Sequence, residues 1–351
     1  VTRRAWLTFT AMSVIWGTSY LFIKIAVEHG IPPLTLAWGR VTLAAAVLLA
    51  LAWRAGVLPS LRGAGRWLLA YAIAEVSLPF PLIGAGEQRV ASSLTAILIA
   101  SLPLITTVLS MRIDHSDRPT PVRAFGLLVG FGGVVALMGI DVAGRPGELL
   151  GAGEILLAAV GYAFGVIVVR HRLSTLDPRA TMGASLALAA LLLTPGAALD
   201  PPHRVPSAGA IASVLVLGLV CTAAAFVIYS ILIFEAGPSR ATVITYVNPV
   251  VALILGVGLL GERPGAGAVA GLLLILTGCW LATDGRLPPG PAWLRRRPAP
   301  ATISHRSSRR PISDPSVRIC GTNGAKFGWR AAGHGRPAER PHGCRRRRPH
   351  P

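Results

Sequence analysis

SLPLITTVLSMRIDHSDRPTPVRAFGLLVGFGG (Ser101–Gly133) returns later in the chain as VNPVVALILGVGLLGERPGAGAVAGLLLILTG (Val247–Gly278). Pro103 answers Pro249, Asp117-Arg118-Pro119 answers Glu262-Arg263-Pro264, Gly126 answers Gly271 and Gly133 answers Gly278. One residue of slack lies between the proline and the acid-Arg-Pro group. The front of each half repeats as well, since Trp16 to Lys24 and Tyr162 to Arg170 are both aromatic-to-cation separations of eight. The chain is internally duplicated, and whatever one half folds into, the other must approximate.

The composition says what that unit is. Hydrophobic residues make up 52% and charged residues 14%, with mean hydropathy +0.59, whereas soluble domains carry roughly 25% charged residues. Apolar runs of about 20 residues, long enough to cross a bilayer core, recur at 5–27, 34–53, 67–86, 91–111, 121–140, 149–169, 180–199, 208–234, 239–260 and 265–283. The expected class is all-α integral membrane, with ten transmembrane helices in two five-helix repeats, 5–140 and 149–284. Five is odd, so the second copy enters the membrane upside down; such inverted repeats point to alternating-access transport. With the N-terminus inside, the short inner connections collect twelve arginines and the outer ones four (Arg89, Arg145, Arg204, Arg263). That bias places both termini in the cytoplasm. The first run lacks a small-residue cleavage site after it and reads as a retained helix.

The net charge of +19 is mostly a property of one segment, because residues 286–351 hold 16 of the 34 Lys+Arg and only 2 of the 15 Asp+Glu. This tail (285–351) is dense in Arg, Pro and Gly, without periodicity, and cannot bury enough surface to fold. Its basic runs suit anionic lipid at the inner leaflet or weak, unspecific nucleic-acid binding; its abrupt composition also fits a shifted reading frame. No function is assigned to it and no specific nucleic acid is called for. The four cysteines show neither disulfide nor zinc spacing, and no metal or cofactor is expected.

WGTSYLFIK (Trp16–Lys24), the Pro32-Pro33 turn, a second span carrying Arg40, and the P…ERP…G…G close of a five-span unit together resemble the EamA domain. Two such domains make a ten-span member of the drug/metabolite transporter superfamily. The resemblance covers about residues 5–284. It implies export of small metabolites or drugs across the cytoplasmic membrane, and it leaves the substrate open. Two departures stand out: Asp117 where the family usually has Glu, and the unusual EVSLPFP (Glu75–Pro81) in span three.

Polar groups inside hydrocarbon cost at least ~2.5–3.5 kcal/mol for a charge, so each needs a reason. Glu75 lies eight residues past Trp67, about 12 Å along a helix and near the midplane. Pro79 cannot donate to its carbonyl and Pro81 leaves a second gap. Either Glu75 binds a cationic group or a coupling proton, or it is a structural acid paired with Arg40 or another buried donor. Arg40 in turn either holds a substrate carboxylate bidentately or serves as a fixed strut. Trp16, Tyr20 and Lys24 are spaced by four and share a helix face. They line a polar cavity, or they pack on neighbours while Lys24 snorkels; the resemblance favours a role for Lys24. Glu154 suits a helix N-terminus.

Pro103 and Pro249, at corresponding positions of the two halves, join Pro79 as candidate hinges beside a central site. Asn248 either contacts substrate or satisfies a freed carbonyl. Tyr162, Tyr229 and Trp38 read as interface or packing residues. The motifs Gly126-x-x-x-Gly130, Gly161-x-x-x-Gly165 and Gly267-x-x-x-Gly271 allow close helix approach and do not by themselves establish a homodimer. An integral-membrane enzyme is disfavoured, since no nucleophile–His–acid set occurs, and a passive channel lacks a repeated filter loop. The expected activity is a carrier exporting small amphipathic metabolites, such as amino acids or related compounds, with protons as a coupling ion.

Overall fold

The computed structural model describes residues 3–113, 120–142, 144–236 and 244–282. The acid-Arg-Pro group at 117–119, the expected start of the ninth span and the tail at 285–351 lie outside them. Among the described residues the structure is helical and contains no strand. Eight helical runs are long and apolar enough to cross a membrane, and two further apolar helices have 17 residues each. In chain order they are α1 (Arg3–Glu28), α2 (Pro33–Arg54), α3 (Gly65–Glu87), α4 (Ser92–Arg112) and α5 (Pro121–Val142). They continue as α6 (Pro146–Leu173), α7 (Pro178–Leu199), α8 (Ala208–Leu232), α9 (Ile244–Leu260) and α10 (Ala266–Ala282).

The starts follow from local chemistry. Pro33, Pro121, Pro146 and Pro178 open their helices, where the missing N–H would be orphaned anyway and φ is already set. Thr120, Asp177 and Ser207 cap the next turn by accepting from the backbone N–H of Arg123, Arg179 and Ala210. Gly30 and Gly261, with φ of 85° and 66°, turn the chain after α1 and α9. Only glycine takes that backbone region without strain.

Among the described residues four stretches are π-helical: Ile73–Ser77 in α3, Met138–Val142 in α5, Val169–Leu173 in α6 and Val216–Ala224 in α8. Such widened turns recur at functional sites. Span three is longer than its expected 67–86, because the helix continues to Glu87. Span five likewise runs past residue 140, so that Asp141 lies inside the helical run.

Helix pairing is regular. α5 packs along α10 and α2 along α7; α1 packs on α9 and α8, while α6 packs on α4 and α3. The α5–α10 contact is built from small residues. A Cβ at Gly133 would meet Leu274 and Ile275, one at Gly271 would meet Leu137, and one at Gly278 would strike the backbone of Gly130. Ile97, Leu98, Leu104, Leu137, Ile155 and Ile275, all fully buried, form the core between α4, α5, α6 and α10. On the outside, Leu128, Val135, Leu191 and Leu273 are 62–73% exposed despite being apolar. Lipid covers such a surface, and the protein is a multi-pass membrane protein.

Candidate functional site

α3 is reshaped around Glu75. The π-helical stretch Ile73–Ser77 ends where Leu78 N–H donates to the Ile73 carbonyl, five residues back. Pro79 follows and opens the second half of the helix. One Glu75 carboxylate oxygen, Oε2, is buried without a hydrogen-bond partner. Room for it comes from α6, because a Cβ at Gly165 would run into the Glu75 carboxylate and one at Gly161 would press on the Ala74 carbonyl and Pro79. The Gly161-x-x-x-Gly165 face thus accommodates the broken helix. Gly165→Ala is expected to lower the thermal midpoint by the equivalent of about 1–3 kcal/mol of overpacking. Adding Glu75→Ala removes the atoms that clash and should recover most of the loss; a double-mutant cycle on the purified protein checks this.

Arg40 is not the partner of Glu75. Its Nε donates to Thr222 Oγ1 at 2.7 Å and its guanidinium lies 4.2 Å from the centroid of the Phe80 ring. Thr222 sits in the π-helical part of α8 and donates its own proton to the Leu217 carbonyl five residues back, at 2.8 Å. Its lone pairs are therefore left for the guanidinium. Tyr162, Cys221, Tyr20 and Glu87 are the electrostatic neighbours of Arg40. Tyr162 is also a neighbour of Glu75, as are Tyr71 and Tyr229. Tyr162, Tyr229 and Phe80 thus belong to the same cluster as the charged residues.

The stripe on α1 divides. Trp16 lies 5.1 Å from the ring of Tyr229 and 6.1 Å, edge-on, from that of Phe226, both on α8. Tyr20 is half-buried and faces Glu87 and Arg40 electrostatically. Lys24 does not snorkel. Its side chain is 14% exposed, with Nζ donating to the carbonyls of Glu87 (2.6 Å) and Val90 (3.0 Å) and lying 3.3 Å from Glu28 Oε1. The Glu87 carbonyl is an orphaned one at the end of α3, where a cation is favourable, and the Val90 carbonyl belongs to the turn that follows.

The two matched prolines behave differently. α4 is interrupted at Ala100–Ser101, with Pro103 in the first turn of its second half. There Ser101 Oγ donates to the Leu98 carbonyl and Cys279 Sγ on α10 to the Ala100 carbonyl. Pro249 instead sits within the continuous helix α9. Asn248 bridges to α1: with its amide orientation assigned from its partners, its nitrogen donates to the Ile244 carbonyl (3.0 Å) and to that of Ser13 (3.2 Å).

Two acids that the sequence did not single out, Glu87 and Asp141, join Glu262 of the second acid-Arg-Pro group. Glu87 is fully buried and neither carboxylate oxygen has a hydrogen-bond partner. Glu262 accepts from Ser92 N–H (2.7 Å) and Ser93 N–H (3.0 Å), capping α4 from the other half of the chain. Asp141 accepts from Gly267 and Ala268 N–H at the start of α10. Arg89 pairs with Glu154 at 2.8 Å, joining α6 to the turn after α3. A signal for Glu262 was present, since an acid in a turn between apolar runs suits a helix N-terminus. Which helix it serves depends on tertiary packing.

The family model described as the EamA-like transporter family matches the chain twice, over residues 3–139 and 149–283. The inner membrane transporter YedA of Escherichia coli K12, itself uncharacterised in function, is 34% identical over 263 residues, covering 72% of this chain and 81% of YedA. The uncharacterised transporter YoaV of Bacillus subtilis is 25% identical over 285 residues, covering 78% and 94%. One protein crystal structure superposes with a TM-score of 0.57 at 21% identity, covering 81% of this chain and 98% of that one, a likeness of fold. Twin matches to the family model, together with a relative aligned along most of both chains, make this protein a member of the EamA-like transporter family.

Proposed function

We propose that the chain is an alternating-access carrier of the cell membrane, with ten crossing helices in two inverted five-helix repeats and both termini cytoplasmic, that exports small amphipathic metabolites such as amino acids or related compounds. The observation that carries this reading is the exchange pattern of the helix contacts. Swapping α1–α5 for α6–α10 leaves the pairs α5–α10 and α2–α7 unchanged, and turns α1 on α9 and α8 into α6 on α4 and α3. Two halves related by such an exchange have two equivalent packings of similar energy, which is what rocking about a central site needs. The site lies where α1, α2, α3, α6 and α8 meet, with α9 beside α1. Trp16, Tyr20, Lys24, Arg40, Glu75 and Asn248 are its proposed substrate-facing residues, and Pro79, Pro103 and Pro249 its hinges. Protons are the proposed coupling ion, with Glu75 as their acceptor.

Loaded proteoliposomes screened against amino acids and related amphiphiles, with and without an imposed pH gradient, test the activity: saturable efflux with counter-flow supports a carrier, and unsaturable flux a channel. Topology has its own check. Reporters fused within 54–66 and after Gly285 are expected to read cytoplasm, and one within 144–147 the outside. A cytoplasmic signal from the last would overturn the inverted arrangement.

A further inference from the structure

The end of the protein that holds the α3–α4 turn is sealed by polar contacts, and one acid in that seal has no partner. Lys24 on α1 occupies the Glu87 and Val90 carbonyls. Glu262, after α9, holds the first N–H groups of α4. Arg89 holds Glu154 on α6. The last two cross between the halves of the chain, so a carrier that opens at this end must break them. Amid these satisfied groups stands Glu87, 0% exposed, with both carboxylate oxygens unbonded among the described residues. The charged groups facing it are Lys24 and Glu28 from α1, Glu262 from the turn before α10 and Arg40 from α2. Glu154 on α6 is already committed to Arg89.

Lys24 is the cation nearest in sequence logic, yet its ammonium bonds the backbone of Glu87 and leaves the side chain alone. An ionised carboxylate with no partner in a dry interior costs several kcal/mol, and such a group avoids the cost by taking up a proton. The cost vanishes once water enters or once a cation turns to it.

We propose that Glu87 is a proton-binding site that latches this end of the protein: it carries a proton while the end is sealed, and gives that proton to water when α1 and α3 part. The carboxylate so formed is hydrated by the entering water, as is the Lys24 ammonium once it leaves the two carbonyls. Resealing reverses the step, taking one proton from the same face. This rests on the carrier reading above, and it makes opening at this end easier as the pH on that side rises. It also separates two roles, a midplane acid (Glu75) and a gate acid (Glu87).

The test uses the full chain in nanodiscs, where both faces are accessible and no substrate is needed. Ser92, 1% exposed within the seal, is replaced by cysteine (Ser92→Cys) in a chain whose four other cysteines are alanine. Labelling by a charged maleimide is then followed in mildly acidic and mildly alkaline buffer. Thiol chemistry speeds up with pH in every variant, so the quantity read is the rate relative to Glu87→Gln at the same pH. That ratio is expected to rise severalfold from acid to alkali, with Glu87→Gln remaining sealed. Equal pH dependence in the two overturns the latch.

A second measurement needs no substitution at Glu87. Dicyclohexylcarbodiimide, an apolar reagent for protonated carboxyl groups, is expected to modify Glu87 of the unaltered chain in acid and less in alkali, as mapped by peptide mass. Absence of modification at both values overturns the proposal even if Glu87→Gln fails to fold. A protein that transports but labels without pH dependence refutes the latch alone. One that labels as expected but moves no solute refutes the carrier reading alone.

Discussion

In vesicles with an imposed pH gradient, Glu75→Gln is expected to reduce gradient-driven transport to that of vesicles without protein. Substrate affinity should change by less than about tenfold, or ~1.4 kcal/mol. Gln is nearly isosteric and fits the space that Gly161 and Gly165 leave, but it cannot carry a proton between sides. Three observations motivate this expectation. Its helix is widened and broken at that residue, its Oε2 is buried without a partner, and Arg40 is committed elsewhere, to Thr222 and Phe80. Had Glu75 been a brace for Arg40, its loss would lower folded yield and a paired Arg40→Gln would restore it; with the guanidinium held by Thr222 no such rescue is expected. Gradient dependence matching the wild type in a well-folded Glu75→Gln protein would leave Glu75 a structural acid.

The helices and the acid inside the third span were legible in the sequence for the same reason: both are statements about transfer from water to hydrocarbon. Apolar runs long enough to span can be seen one residue at a time, and an acid inside such a run needs no partner to attract notice. The break in α3 was equally local, since Pro79 and Pro81 cannot donate. What sequence could not supply was partnership. Arg40 and Glu75 are the obvious opposite charges of the first half, yet Arg40 reaches across to Thr222. That hydroxyl is presented by a π-helical stretch in α8 that has no proline to announce it. Lys24 looks like an interfacial lysine until the end of α3 is brought beneath it. Glu87 escaped because it closes the helix, one residue past where hydropathy drew the span, and its burial comes entirely from neighbours. The matched prolines carry a similar lesson: equal positions in two repeats did not give equal geometry, because only α4 is broken at its proline.

The packing of α5 on α10 yields the other large effect. Gly278→Ala is expected to lower the thermal midpoint sharply and to reduce folded yield, while Gly132→Ala, on α5 itself, leaves both at or slightly above wild type. A Cβ at residue 278 would strike the Cα and N of Gly130 and crowd the Gly126 carbonyl, which is backbone and cannot turn aside. At Gly132 nothing lies within 4 Å. Overpacking of this kind costs about 1–3 kcal/mol, with the upper part of that range expected where backbone meets backbone. The intrinsic gain of Ala over Gly in a helix, about 0.8–1.0 kcal/mol, offsets only part of it. Because α5 and α10 close the two repeats and contact each other through the same set of glycines, separating them loosens the joint on which the proposed halves turn. Efflux per folded molecule is therefore expected to fall in Gly278→Ala as well. Scanning fluorimetry of the two purified variants, with efflux normalised to folded protein, checks both parts. Wild-type midpoint and yield in Gly278→Ala would show that α5 and α10 do not meet backbone to backbone at Gly130, and the pivot would have to be sought along α2 and α7 instead.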